Sequence, residues 1–439
     1  MRIADLKNKN VAIFGYGREG RAVLNAIRHL LPEQPLTILN DTPLEIERPP
    51  QTELYVGNDA NKRLTDFDVL IKSPGVSLYR PELQSALVQG VTLTSQTRLW
   101  FAEHPEAKTI CITGTKGKST TSSLLAHVLN SVGIDTALGG NIGQALFDIP
   151  ASPKPERWVI ELSSYQCADF DGSPDISVLL NLFPEHLDWH GDVETYCHDK
   201  LNLLRQPAEQ RVLNRQDKTG PKMLGWPDNA AYFNGDDGFH VTDNCVYDDS
   251  TLLFKAEQCQ LRGEHNLSNI CAVLTVARLL DIDPTHCIDA LTTFEGLPHR
   301  LHILGKHAGL TYVDDSISTT PQSTLAAIQA FQASAVTVLV GGYDRGLDWQ
   351  ETAQHLASQP VNAVITMGDN GPRIAETLRQ HGLTAIHEVD TLSEAVALAK
   401  GITPANGVVL LSPGSPSYGQ FENFQARGRK FAVCAFDAE

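Results

Sequence analysis

Thr109-Ile-Cys-Ile-Thr-Gly-Thr-Lys-Gly-Lys-Ser-Thr120 decides how the rest of this chain is read. A β-branched run stops at glycines. Lys118 and Ser119 then open a stretch in which Leu124, Leu125, Val128, Leu129 and Val132 recur at helical spacing. The glycine turn therefore lies between a buried strand and a helix N-terminus, which is the setting a phosphate loop needs. Amide N–H groups and the positive end of the helix dipole face an anion, Lys118 adds a point charge, and the Ser119 hydroxyl can ligate Mg²⁺. Ile112 stands where the longer P-loop motif has its first glycine, so the match is the shorter Gly114-Thr-Lys-Gly117-Lys118-Ser119 form, with an accidental loop as the alternative.

Outward from this segment, short apolar strands alternate with helical stretches, the pattern of parallel sheets covered on both faces. Val11-Ala-Ile-Phe14, Leu36-Thr-Ile-Leu39, Val69-Leu-Ile71 and Val91-Thr-Leu93 read as the strands of a first unit that ends near residue 95. A second unit starts at Thr109 and continues through Trp158-Val-Ile-Glu-Leu162, 176–182 and Arg211-Val-Leu213. Shorter strands near Tyr232 and Leu252 suggest an antiparallel annex, and a helix over 267–280 follows. Gly296-Leu-Pro-His-Arg300 reads as a linker. A third unit runs through Tyr312-Val313, 336–340, 364–367 and 408–411.

The bulk composition agrees with several domains, since 439 residues exceed what one core organises. A net charge of −17 argues against a nucleic-acid or membrane-surface partner, while leaving a nucleotide possible because local cations decide phosphate binding. The eight cysteines form no Cys-x-x-Cys pair and read as buried apolar side chains in a reducing compartment. Met1-Arg-Ile-Ala-Asp-Leu-Lys7 lacks the apolar core of a signal peptide, and no run approaches the roughly 18 apolar residues of a membrane span. The expectation is a soluble, cytoplasmic protein.

Three further constellations bear on chemistry. Gly15-Tyr-Gly17-Arg-Glu-Gly20 follows a strand and opens a helix, with Asp41 after the next strand, and by itself says dinucleotide fold. A turn that binds nothing and an NAD-linked oxidoreductase are both open readings of it, although the second leaves the phosphate loop unexplained. Glu161 ends an apolar strand in the manner of a carboxylate that holds Mg²⁺ opposite a phosphate loop. His186, in Asn181-Leu-Phe-Pro-Glu-His186, emerges at the same sheet edge, so Ser119, Glu161 and His186 read better as a shared cation site than as separate surface groups. Asn266 and Asn269 open a helix, with simple capping the competing account. Arg300 and Asp315 flank the third unit, with a surface pair as theirs.

In this order the pieces resemble the Mur ligase family, ATP-dependent amide-forming enzymes of peptidoglycan precursor synthesis, over nearly the whole chain. The resemblance rests on Thr113-Gly-Thr-Lys-Gly-Lys-Ser119, Gly139-Gly-Asn-Ile-Gly143, Glu161-Leu-Ser-Ser164, Gly263-Glu-His-Asn266 with Asn269, Leu297-Pro-His-Arg300 and Leu411-Ser-Pro413. It points to the glutamate-adding branch, whose substrates are UDP-N-acetylmuramoyl-L-alanine and glutamate. It implies an α/β fold of three domains: a Rossmann-like UDP-binding domain (1–95), a P-loop ATPase-like central domain (96–300) and a Rossmann-like C-terminal amino-acid-binding domain (301–439). Arg18, Glu19, Asp41, Thr42, Ser73 and Gly75 are expected around UDP, with Asn141 and Gln166 facing the muramoyl-alanine part. Gly114, Thr115, Lys116, Gly117, Lys118, Ser119, Thr120, Asn269, Arg300 and Asp315 are expected around ATP. Ser119, Glu161, His186 and Lys200 are expected as the Mg²⁺ ligands, with Lys118, His186, Lys200 and Arg300 catalytic. Lys200 is locally an ordinary helix lysine; the resemblance alone makes it a carbamate. Ser316, Thr319, Thr320, Arg345, Ser417 and Phe424 are expected around the incoming glutamate.

The departures from the family pattern cluster at that last site. Ile317 and Thr320 replace Lys and Asn of the enzymes that add D-glutamate, and Arg345 replaces Lys, with a planar fork in place of a point charge. Inverting one stereocentre while the amine stays fixed moves both carboxylates, so altered partners here are what a switch to L-glutamate requires. L-glutamate is therefore the reading, with D-glutamate the alternative. Lys116 stands where the family has Asn. Folylpolyglutamate synthase shares the ATPase core but lacks a unit like 1–95; a nucleotide sensor without catalysis is the rival outside enzymes.

Overall fold

The computed structural model describes residues 1–44, 49–150, 152–225, 230–235, 237–261, 263–359 and 361–437. Among them the strands form four sheets. The first contains Thr52–Val56, Leu36–Asn40, Val11–Phe14, Val69–Lys72 and Thr92–Ser95, in that spatial order and all parallel. The chain enters at the middle strand, moves outward, then returns to the other side. The connections thus run in opposite directions from the paired central strands, which makes the end of Phe14 and Lys72 the topological switch point where such sheets take ligands.

The apolar runs are continuous because both faces are covered. Val11, Ile13, Ile38, Val69 and Ile71 pack into one buried cluster. Their neighbours Ala12, Phe14, Leu39 and Leu70 pack into another on the opposite face.

The second sheet is also parallel. Its order is Ala230–Phe233, Gln210–Asn214, Ile176–Leu179, Thr109–Thr113, Arg157–Glu161, Thr136–Gly140. The Thr109–Thr113 strand lies between the strand that ends at Glu161 and the strand that leads to Asn181, with Ile112 paired to Glu161 and Thr113 to Leu179. The strand containing Tyr232 pairs in parallel with Gln210–Asn214, so it edges this sheet and is not part of an antiparallel annex. The annex is a separate meander of Phe239–Thr242, Cys245–Asp248 and Thr251–Lys255. The strand expected near Leu252 is its third, Thr251–Lys255; the first two, short and only partly buried, gave no comparable signal.

The last sheet has the order His302–His307, Leu310–Asp314, Val408–Leu411, Val336–Gly341, Ala363–Met367, Ile386–Glu388. Its first strand is antiparallel, a hairpin partner of the second. By packing the chain forms two units. Residues 1–259 and 264–294 contain the first three sheets, and 260–263 with 295–439 contain the last. The segment read as a linker, 296–300, begins this second unit, where His299 and Leu301 both have positive φ.

Candidate active site

The helix Lys118–Ser131 begins directly after Gly117, which caps it in the left-handed conformation at φ 84°. A side chain at 117 would meet Asn269 Oδ1 at 2.5 Å, so the Asn269 amide packs directly against the turn. Asn269 is buried and donates to Asn266 Oδ1 at 3.1 Å. The other wall of the loop is Asn181, whose backbone oxygen accepts from Thr115 N–H (2.9 Å) and whose side-chain oxygen accepts from Lys116 N–H (2.8 Å). The Thr115 hydroxyl contacts the Tyr196 hydroxyl at 2.7 Å and accepts from Phe183 N–H. These bonds hold the strand-to-helix turn open, leaving the first amides of the helix without intrahelical acceptors, as at any helix start. Lys118 Nζ donates to Thr115 O at 2.8 Å, and Lys116 reaches outward to Glu185 at 2.5 Å.

Glu161 is fully buried at the end of the adjacent strand. Asn141 Nδ2 donates to its Oε1 at 2.5 Å, while Oε2 is buried with no hydrogen-bond partner. Lys200, on the helix Val193–Arg205, is 1% exposed and donates to Gly114 O at 3.0 Å. Burial first, then the neighbouring Lys118 ammonium, push its amine down to about 7, against the opposing pull of Glu185 and Glu161. His186, in the left-handed conformation at φ 57°, caps a short helix and lies 3.7 Å from Glu185. Burial, with Lys118 and Lys200, holds its ring below the usual histidine value although Glu185 opposes. Glu161, His186 and Lys200, three of the four side chains expected at one cation site, thus share one electrostatic neighbourhood with Lys118. Among the described residues no three His, Cys, Asp or Glu side chains converge on a metal centre, so such a site needs Ser119, Lys200 or a substrate to complete its oxygens.

The residues expected around UDP collect at the switch point of the first sheet. Ser73 Oγ donates to Gly15 O at 2.5 Å, and Gly75 has open space where a side chain would stand. Both Asp41 oxygens accept from Arg80 (2.9 and 2.7 Å), and Thr42 O accepts from Asn40. Arg18 donates to the carbonyls of Gly140, Asn141 and Gly143 at 2.7–2.9 Å, which ties the first sheet to the loop beside Glu161. Glu19 is buried and accepts from Gln166 Nε2 at 2.8 Å; burial raises its carboxyl to about 7 against Arg18 and Lys72.

In the second unit Asp315 is 2% exposed, which corrects any reading of it as a surface group. It accepts from Leu301 N–H and Ser412 Oγ, and burial raises its carboxyl to about 6. Arg300 Nε is buried without a hydrogen-bond partner. Ser316 is fully buried: its hydroxyl donates to Phe424 O and accepts from Arg427 Nε. Arg427 also donates to the backbone oxygens of Ser316 and Ser415, linking the loops that contain Ser316 and Ser417. Thr320 caps the helix Pro321–Gln329, Thr319 is half-buried, and Arg345 is exposed on the turn after Val336–Gly341. Sequence reasoning missed Asn181, Tyr196 and Arg427. Only the first had a local signal, its position after a strand next to the loop strand.

A glycine turn at a helix N-terminus, with a buried carboxylate at the end of the neighbouring strand and a buried amine on an adjacent helix, is a setting that suits an enzyme using a nucleotide to activate a second substrate. Two family models match this chain, Mur ligase middle domain over residues 112–277 and Mur ligase, glutamate ligase domain over 299–414. Among curated relatives, the UDP-N-acetylmuramoyl-L-alanine–L-glutamate ligase of Xanthomonas axonopodis pv. citri is 44% identical over 99% of this chain and 97% of its own. The protein of that name from Micromonospora sp. is 40% identical over 100% and 98%. The UDP-N-acetylmuramate–alanine ligase structure from Thermotoga maritima superposes with a TM-score of 0.60 at 18% identity, covering 97% of this chain and 98% of that one. The MurF ligase from the same organism, in complex with ADP, gives 0.58 at 15% over 99% and 96%; at these identities the likeness is one of fold. The chain belongs to the Mur ligase family, and so is an ATP-dependent acid–amino-acid ligase. The nicotinamide reading of the first glycine turn falls with that assignment. No helix among the described residues is long and apolar enough to cross a membrane.

Proposed function

We propose that this chain joins L-glutamate to UDP-N-acetylmuramoyl-L-alanine, with ATP, in the making of a peptidoglycan precursor. The observation that carries the reading is the set Lys118, Glu161, His186 and Lys200 at one sheet edge, beside a glycine turn preformed for phosphate. The relatives named above bear the L-glutamate name, and the replacements at 317, 320 and 345 agree with it; D-glutamate is not favoured.

A carboxylate resists attack by an amine. The alanyl carboxylate therefore takes the γ-phosphoryl of ATP: a carboxyl oxygen bonds to phosphorus as the bond to the ADP oxygen breaks. The glutamate amine then attacks the acyl carbon, loses a proton, and phosphate departs with the carboxyl oxygen. Lys118, at the positive end of its helix, faces the charge in transfer, and the rigid turn supplies orientation. The free Oε2 of Glu161 and the Ser119 hydroxyl offer oxygens that suit a hard cation, and the His186 ring, held below the usual histidine value, would add a neutral nitrogen beside them. Mg²⁺, when bound there, neutralises phosphate charge. Lys200 supports a carbamate: its depressed value supplies free amine near neutral pH, whose nitrogen adds to CO₂ with loss of a proton. The product is an anion beside Lys118 where two cations would otherwise repel. In this reading 1–95 binds UDP through Arg18, Glu19, Asp41, Thr42, Ser73 and Gly75. Residues 96–300 bind ATP, with Asn141 and Gln166 toward the muramoyl-alanine part. Residues 301–439 present glutamate through Ser316, Thr319, Thr320, Arg345, Ser417 and Phe424, with Arg300 and Asp315 toward ATP.

The test is phosphate release from purified protein with ATP, Mg²⁺ and UDP-N-acetylmuramoyl-L-alanine. Release is expected with L-glutamate and not D-glutamate, with ¹⁸O from the alanyl carboxylate appearing in the phosphate. Release with neither enantiomer sinks the reading.

A further inference from the structure

A buried hydrogen-bond chain that none of the chemistry above uses runs behind the proposed cation site. Tyr79 OH donates to Asp199 Oδ1 at 2.7 Å, His190 Nδ1 lies 2.6 Å from Asp199 Oδ2, and His190 Nε2 lies 3.0 Å from Ser164 Oγ. Asp199, His190 and Ser164 are 2–3% exposed. An ionised carboxylate only accepts, so His190 carries its proton on Nδ1, and its Nε2 accepts from the Ser164 hydroxyl when the ring is neutral. The ring is stacked on Tyr165 and meets Tyr196 edge-on, and Tyr196 itself touches the phosphate loop through Thr115.

Two members sit one and three residues from groups the reaction needs. Asp199 precedes Lys200 on the same helix. Ser164 follows Glu161 by three residues. Tyr79 belongs to the loop that begins at Ser73, and that loop is bonded again to the short helix Leu187–His190 by Ser77 Oγ to Trp189 O (2.7 Å) and Trp189 Nε1 to Pro74 O (3.1 Å). The arrangement has the order of a Ser-His-Asp triad, but its serine is closed to solvent, so a nucleophile's role is excluded in favour of a mechanical one. We propose that Ser164, His190, Asp199 and Tyr79 are positioning residues. Through them the strand end bearing Glu161 and the helix bearing Lys200 are held in register with each other and with the 73–80 loop. The inference rests on the reading of Glu161 and Lys200 as cation ligands.

Asp199→Asn keeps the shape and the acceptor for Tyr79 but sets an amide N–H against His190 Nδ1–H, which forces the ring to the other tautomer. Calorimetric titration with Mg·ADP, without turnover, is expected to show affinity about tenfold weaker, in the range found when a ligand's supporting group is removed. The KM for glutamate should stay within twofold and the melting temperature within a few degrees. Tyr79→Phe, at the exposed end, removes one bond and should weaken Mg·ADP in the same direction by about threefold; it serves if Asp199→Asn does not fold. Wild-type Mg·ADP affinity in Tyr79→Phe together with Ser164→Ala, or in Asp199→Asn, overturns the proposal. Glu161→Gln separates the two readings. If it binds Mg·ADP as the wild type does, the cation site itself is misplaced; if it fails to bind while Asp199→Asn binds normally, only the positioning role is lost.

Discussion

Glu19 shows how far a single residue's environment outweighs its type. Expected at the UDP end of its glycine turn, it is buried against Gln166 with its second oxygen unpartnered. Its carboxyl is raised from 4.5 to about 7, so folding favours its protonated form. The stability this contributes is full below pH ~4.5 and is lost as pH rises through about 7, roughly 3 kcal/mol in all. Glu19→Gln should therefore melt higher than the wild type at pH 8 and equally at pH 5; equal melting at both is the contrary result. At Lys200 the prediction is chemical. Lys200→Arg keeps a cation but cannot form a carbamate, and kcat in phosphate release should fall roughly 100-fold, with no gain from added bicarbonate. Neither environment was legible in the chain, because burial and neighbouring charges are long-range properties.

At the scale of the element, strands and their turns were the most legible part. The runs at Val11–Phe14, Thr109–Thr113 and Val336–Gly341 are buried throughout and rich in β-branched residues because helices cover both faces, and no competing period disturbs them. Edge strands such as Thr52–Val56 and Thr136–Gly140 escaped, since an edge buries less and tolerates polar residues and glycine. The phosphate turn depends on Gly117 more than its spacing alone indicates. Gly117→Ala places a Cβ at positive φ, which costs about 1–2 kcal/mol, and drives it into the Asn269 side chain. The expected result is a KM for ATP raised about tenfold with the KM for the UDP substrate unaffected; an unchanged KM for ATP would remove Asn269 and the turn from nucleotide binding.

At the scale of the whole molecule, the first two sheets form one unit, although the chain changes sheet near residue 95. Arg18 with the 140–143 loop, Glu19 with Gln166, and Tyr79 with Asp199 stitch the sheets together. Arg18→Ala removes three bonds from a charged donor and should destabilise by roughly 2–3 kcal/mol. Scanning calorimetry should then resolve an earlier transition for 1–95; a single unshifted transition would mean that the apolar contacts alone couple the sheets.

By itself the sequence determined the strand–glycine–helix turn at Gly117, the order of α/β units and the family, because each follows from residues near one another in the chain: strand, glycine, lysine, helix. The tertiary structure alone decided that Asn181 and Asn269 wall the loop, that Glu161 keeps one oxygen unpartnered, that Lys200 is buried beside Lys118, and that Tyr79 reaches Asp199. Those contacts join residues up to 152 positions apart. Their energies depend on desolvation and distance, which no local pattern encodes.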